Sequence, residues 1–331
     1  MKPNALRRGL CRHALASLIA LLPATLLAQT AARFPDKPLR IIVAGTAGGS
    51  SDIMARLLAD QLGKDSGQPV IVEPKPGAGG SLAVAELGQA AHDGYTVMVG
   101  VNSLVSEIPQ IMKLKIDMPH EIMPVAELAR GGLVLVGTPT LPASTLKELV
   151  GYVKANPGKV NVASYSAGTI SHVIGVQLNK AAGIDMVHVG YKGSTPALTD
   201  VMGGHVPLMF DAMPTSLPLI KAGKLKAYAV STPKRFALLP EVPTFAEQGY
   251  PQLEAVAWLG LWVKPDVPAA MQAKLREAAL KALAGPAVKG RLAEIGFEPG
   301  QPRSPQELAA ALKADSDKMA ALLKAIDFKP E

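Results

Sequence analysis

Leu39-Arg-Ile-Ile-Val43, followed by Ala44-Gly-Thr-Ala-Gly-Gly-Ser-Ser-Asp52, is an apolar run, a glycine-rich turn and a helix-like stretch that opens at Asp52. Glycines let backbone N–H groups converge on a ligand with no Cβ in the way. A helix N-terminus adds donors without internal partners and a partial positive charge. The segment therefore has the makings of an anion site. The device recurs in Pro76-Gly-Ala-Gly-Gly-Ser81 after Val70 to Val72, and in Ser164-Tyr-Ser-Ala-Gly-Thr169 after Val160 to Ala163. Three such turns at strand ends, with no catalytic constellation beside them, point to a protein that holds a small anion rather than transforms it.

Outward from these turns the chain alternates. Short β-branched runs (Ile41 to Ala44, Val70 to Val72, Val97 to Val101, Leu133 to Val136, Val160 to Ala163, Ala227 to Ser231) are separated by amphipathic stretches such as Leu82 to Ala91, Leu146 to Ala155, Ser171 to Ala182, Ala269 to Leu283 and Pro305 to Ile326. Strand–helix alternation predicts an α/β fold with a mainly parallel sheet, whose ligand crevice lies outside the carboxyl ends of its strands. All three glycine turns fall at that end. Punctuation places two crossings between lobes, at Ala129 to Pro142 and Pro251 to Pro268, the second holding Trp258 and Trp262. The expected division is residues 29–133 with 253–331 as one lobe and 134–252 as the other.

The first 28 residues read as an export signal. Lys2, Arg7, Arg8 and Arg12 form a basic segment without an acid, and Ala14 to Ala28 is almost wholly apolar but too short to span a bilayer. Without those four charges the formal net charge falls from +7 to +3 over 303 residues. So small a charge, with few aromatic residues, leaves no footprint for nucleic acid. The single cysteine, Cys11, lies inside the signal, so the mature chain has neither thiol nor disulfide and is held by its own core.

Phe34-Pro35, Ala47-Gly-Gly-Ser-Ser-Asp52, Gln68-Pro-Val-Ile-Val-Glu73, Pro76-Gly-Ala-Gly-Gly80 and Asp93-Gly-Tyr-Thr96 occur in an order that resembles the Bug family, the extracytoplasmic solute receptors of tripartite tricarboxylate transporters. The match continues through Ser164 to His172, His188-Val-Gly-Tyr-Lys-Gly193, Gly203-Gly-His-Val206, Phe210-Asp211, Leu239-Pro-Glu-Val-Pro-Thr244 and Trp258. The resemblance implies a two-lobed periplasmic binding protein fold, type II-like, with two mainly parallel sheets and a ligand cleft between the lobes. It implies a small carboxylate or related polar solute as ligand, capture by lobe closure, no cofactor and no metal. It also implies transporter permease subunits as partners, a monomeric receptor and a periplasmic location. By position it assigns Ala47, Gly48, Gly49 and Ser50 to the ligand from one lobe, with Gly79, Gly80, Asn102 and Ser103 nearby. From the other lobe it assigns Ser164, Gly168, Thr169, His172, Tyr191 and Asp211. The chain departs from the family at Ala44, Gly45 and Thr46, where proline, an aromatic residue and proline are usual. Pro74 and Lys75 replace an Asn-Arg pair, and Gly190 replaces a proline.

Plainer roles compete for several of these residues. Asp52 opening a helix reads as an N-cap. His172 either lines the cleft or pins its own turn, and Asp211 either accepts a bond from a ligand amine or hydroxyl or fixes the Phe210 to Thr215 loop. His188 and His205 lack metal partners at recognisable spacing, and Lys192 reads as a solvated loop lysine. The rival class is an acyl-transfer enzyme, from Ser144-Thr-Leu-Lys147 and Ser231-Thr-Pro-Lys234. Against it, Ser144 and Thr145 precede a helix with Glu148 placed for a capping box, Pro233 interrupts the second match, and no Gly-x-Ser-x-Gly elbow occurs. A receptor that docks on a membrane sensor instead of a permease has the same sequence requirements.

The export reading gives a first expected outcome. N-terminal sequencing of secreted protein should find a start between Gln29 and Arg33, whereas a membrane-retained chain that begins at Met1 contradicts it.

Overall fold

The computed structural model describes residues 34–325 and Phe328; the export-signal reading of residues 1–28 lies outside the described residues. Strands β1 (Leu39–Val43), β2 (Val70–Pro74) and β3 (Thr96–Val101) alternate with helices α1 (Ser50–Ser66) and α2 (Ser81–Gly88). Three single-turn helices, α3 (Ser103–Ser106), α4 (Ile108–Ile111) and α5 (Met118–Glu121), lead into the long strand β4 (Met123–Gly137). A second alternation follows: α6 (Leu146–Ala155), β5 (Val160–Ser164), α7 (Ile170–Ala182), β6 (Met186–Gly190), α8 (Ser194–Met202), β7 (Leu208–Ala212), α9 (Met213–Lys221) and β8 (Lys226–Val230). The chain returns through β9 (Val256–Val263) and ends in α10 (Ala269–Ala284), α11 (Pro286–Glu294), the two-residue β10 (Glu298–Pro299) and α12 (Pro305–Ala325).

The strands join in the order β2-β1-β3-β9-β4-β7-β5-β6, with β8 and β10 also on β4. β4 serves two sheets. Its residues Met123 to Gly132 pair with β9, and Leu133 to Gly137 pair with β7 and β8. The outer strands are parallel, as alternation predicts, but β3–β9, β4–β9, β4–β7 and β4–β8 are antiparallel. The sheets are thus mixed where the sequence reading expected them mainly parallel. The physical reason is the double crossing: β4 leaves the first sheet and β9 re-enters it, so the two paired crossing strands run in opposite directions.

Each sheet is covered on both faces. Alternate residues of one strand go to opposite layers: Ile41 packs with Met54, Leu58 and Leu62 of α1 and Leu275 and Leu283 of α10, while Ile42 packs with Val84 and Leu87 of α2 and Leu308 and Leu312 of α12. In the second sheet, α6 and α7 cover one face through Leu149, Val153, Ile174 and Leu178, and α8 and α9 cover the other through Leu198, Val201 and Leu217. Thr145 and Glu148 form the expected capping box at α6: Thr145 Oγ1 accepts the Glu148 N–H at 3.2 Å, and Glu148 Oε2 accepts the Ser144 N–H at 2.7 Å.

A histidine pair lies between the start of α7 and β6, with His172 buried and His188 half-buried. The rings of His172 and His188 stack with centroids 3.6 Å apart, Ser164 Oγ and His188 Nε2 share a 2.7 Å hydrogen bond, and His172 Nδ1 accepts the Gly168 N–H at 3.3 Å. Burial lowers both imidazoles, His172 to about 3 and His188 to about 4, so both are neutral at pH 7. Among the described residues no three His, Cys, Asp or Glu side chains cluster to hold a metal.

A folded-state pKa below the unfolded value means that stability is present above about pH 6.5 and is lost as pH falls towards the folded pKa. His172→Gln keeps an acceptor for the Gly168 N–H and removes the titration. Between pH 7 and pH 5 the unaltered protein should lose about 2 kcal/mol more stability than this variant, read as a larger fall in melting temperature. Parallel pH profiles would contradict the neutral pair.

Candidate functional site

One cavity lies where the two sheets face each other. The first sheet contributes the β1–α1 turn (Ala44, Gly45, Thr46, Gly49, Ser50 and Ser51), the Gly77 to Gly80 turn before α2, and Val101, Leu104 and Ile108. The second contributes Tyr165, Ser166 and Thr169 from the β5–α7 turn, Tyr191 to Ser194 from the β6–α8 turn, and Ala212. The crossing strands supply Gly131 and Leu133 from β4 and Ala257, Trp258 and Leu259 from β9, joined by Phe297. The space open to the centre of a water molecule is about 100 Å³, several times what one ordered water needs.

The starts of three helices border the cavity. The first N–H groups of any α-helix have no partner within it. α1, α7 and α8 are preceded by Gly49, Thr169 and Gly193, and none of the three has a side-chain cap. The Thr169 hydroxyl donates instead to the Ser166 carbonyl at 2.7 Å. Thr46 Oγ1 and Ser50 Oγ are buried and unpartnered among the described residues. The cavity wall contains no Asp or Glu among the described residues, and one cation, the exposed Lys192. The N–H groups that open α1 and α8, the buried hydroxyls and the positive helix ends make this an anion-binding environment, whereas at α7 the Ile170 N–H already donates to the Glu107 carboxyl and the Ser171 N–H to the Tyr165 hydroxyl.

The turns also touch across the cavity. Thr195 Oγ1 donates to the Ala47 carbonyl at 2.9 Å. Gly193, at φ +143°, lies so close to Thr46 that a Cβ there would be 2.3 Å from Thr46 Oγ1.

Of the residues assigned from sequence, Gly49, Ser50, Gly79, Gly80, Thr169 and Tyr191 line the cavity. The others lie behind its wall or beside it. Ala47 and Gly48 are exposed on the β1–α1 turn, Gly48 at φ +74°. Asn102 binds β9 twice, its N–H donating to the Trp258 carbonyl at 3.0 Å and its Oδ1 accepting the Trp258 N–H at 3.1 Å. Ser103 is fully buried, and its hydroxyl donates to Glu107, whose carboxyl burial pushes up to about 7. Ser164, Gly168 and His172 belong to the network of the histidine pair. Asp211 is buried and accepts from the hydroxyls of Ser194 (2.6 Å), Thr215 (2.5 Å) and Ser216 (2.7 Å). Burial raises its pKa against these bonds. Its saturated carboxylate has the loop-fixing role, and it holds Ser194 in the cavity wall.

Asp52 is not the N-cap that its position suggested. The helix begins two residues earlier, at Ser50, and Asp52 in its first turn reaches back to the Gly48 N–H at 2.9 Å while pairing with Arg56 at 2.8 Å. Sequence reasoning also missed Tyr165, Ser166, Ser194, Leu104, Leu133 and Phe297. Tyr165 and Ser166 stood inside a turn already singled out. Leu133 and Phe297 carry no local signal, because the chain meets the cavity there only through folding.

Comparison with known proteins agrees with this geometry. Residues 54–328 match the model of the tripartite tricarboxylate transporter family receptor. A protein of Agrobacterium vitis, from the TAR-I ttuE–ttuC′ intergenic region, is 35% identical over 314 residues, covering 92% of this chain and 90% of its own. Among solved structures, MatC from Rhodopseudomonas palustris, with bound malate, is 31% identical, with a TM-score of 0.80 over 88% of this chain and 100% of that one. Rpa4515 from R. palustris, solved with adipate, is 28% identical, with a TM-score of 0.85 over 90% of this chain and 100% of that one. With its two sheets facing each other across one cavity, the chain has the two-lobed periplasmic binding protein fold, and it belongs to the tripartite tricarboxylate transporter receptor family.

Proposed function

We propose that this chain is an exported, monomeric receptor that captures a small carboxylate by lobe closure and delivers it, chemically unchanged, to the membrane subunits of a tripartite tricarboxylate transporter. The lobes are residues 29–133 with 253–331, and 134–252. The observation that carries this reading is the convergence of the uncapped starts of α1 from one lobe and α8 from the other, beside the β5–α7 turn, on a cavity without an acidic side chain among the described residues. The similar proteins MatC and Rpa4515 were solved with malate and adipate, which supports a carboxylate as the anion.

In this reading the carboxylate takes N–H groups and hydroxyls from the Gly49–Ser50, Gly79–Gly80 and Thr169 turns and from Tyr191. Ala47, Gly48, Asn102, Ser103, Ser164, Gly168, His172 and Asp211 hold those groups in place. Ligand contacts to both lobes make the closed form the tight-binding one, and differential affinity for that form drives closure. The bonds of Thr145, Ser144 and Glu148 in a helix cap occupy the Ser-x-x-Lys segment in a structural task, which weighs against the acyl-transfer alternative.

Two measurements test this. A carboxylate ligand at a hundred times its Kd should add about 2.7 kcal/mol of stability, seen as a thermal shift, and should be recovered intact. Gly193→Val places side-chain atoms against Thr46 at the seam between the lobes, so affinity by calorimetry should fall at least ~10-fold, or ~1.4 kcal/mol, with circular dichroism unchanged. Undiminished affinity in the folded variant contradicts the closure proposal. Conversion of the ligand to a product contradicts the receptor reading itself.

A further inference from the structure

The cavity wall is chemically divided. The uncapped helix starts, the Thr46 and Ser50 hydroxyls and Lys192 all belong to turns at strand ends. Much of the remaining wall is apolar and bulky: Leu104, Leu133, Trp258, Leu259 and Phe297, with Ala257 among them, and the buried Trp258 indole N–H is a single unpartnered donor there among the described residues. No Lys, Arg or His of the described residues stands in that part of the wall.

Glycines admit these apolar side chains. A Cβ on Gly80 would lie 2.4 Å from the Leu104 side chain, and one on Gly100 would lie 2.6 Å from it. A Cβ on Gly131 would lie 3.0 Å from the Phe297 ring. Trp258 is fixed from behind by its two backbone bonds to Asn102, and it stacks at 5.6 Å on Trp262, whose indole N–H donates to the Gly100 carbonyl at 3.0 Å. The apolar face is therefore preorganised rather than left over from packing.

The geometry points to a monocarboxylate with an apolar body, aromatic or branched aliphatic, as the ligand class. Its single carboxylate meets the helix starts, and its body lies against Trp258, Leu104, Leu133 and Phe297. This rests on the carboxylate-receptor reading above. A second carboxylate in the apolar half would lose its water without gaining a cation or a converging set of donors, whereas an aromatic or branched body removes apolar surface from water on both sides.

Calorimetry on the mature protein decides it, with 3-phenylpropionate and 4-methylpentanoate set against adipate and malate, and 3-phenylpropionamide as the uncharged control. At least one of the two monocarboxylates should bind 10-fold or more tightly than either dicarboxylate, and the carboxamide at least 10-fold more weakly than its acid. Phe297→Asn should weaken the monocarboxylate by 5-fold or more, while Phe297→Leu should not. Tighter or equal binding of adipate or malate by the unaltered protein overturns this inference and leaves the receptor reading standing. Equal binding of the acid and its carboxamide overturns the carboxylate reading, and with it the inference built on it. Binding by neither series overturns both. The ligand series on the unaltered protein decides even if a variant fails to fold.

Discussion

The β4 ladder is the constraint on which the rest depends. A single strand of 15 residues spends its first part hydrogen-bonded to β9 and its last part to β7 and β8. Backbone donors and acceptors buried in a sheet must be paired, so the two sheets cannot separate without breaking that strand. The register of β4 with β9 sets where the crossing occurs. It also brings the carboxyl ends of β1, β3, β5 and β6 towards one cavity. At Gly132 and Leu133 β4 passes from one set of partners to the next.

Around that cavity the helices are treated differently from those elsewhere. α6 is closed by Thr145 and Glu148, whereas α1, α7 and α8 begin at Gly49, Thr169 and Gly193 without a side-chain cap. Glycine at an N-cap costs only a few tenths of a kcal/mol relative to a capping side chain, so α1 and α8 leave their first donors open with little loss of stability. The polar residues behind the wall are arranged differently. Asp211, the Ser164–His188–His172 network and Asn102 are paired internally. Their hydrogen-bonding groups are engaged with one another and with nearby backbone.

Glycine has two duties in this site, and sequence distinguishes them poorly. Gly48 is needed for its positive φ at the turn. Gly80, Gly100 and Gly131 make room for Leu104 and Phe297, with Gly80 also at positive φ. In the linear sequence Gly48 and Gly80 read alike, as places where backbone approaches a ligand, and Gly100 and Gly131 carried no such reading. Only the positions of neighbours far along the chain reveal that some admit a bulky side chain.

The sequence alone determined the strand–helix alternation, the three small-residue turns, the capping box at Ser144 to Glu148 and the family, because each depends on groups within a few residues or on the order of short motifs. Tertiary structure alone decided that β4 is shared and the sheets mixed, that α1 begins at Ser50, and that Ser164, His172 and Asp211 face inward. It also brought Leu133, Trp258 and Phe297 together as one apolar face. The reason is physical: periodicity and caps are local properties of the backbone, whereas which side of a turn meets the cavity depends on sheet pairing and on contacts between residues a hundred or more positions apart.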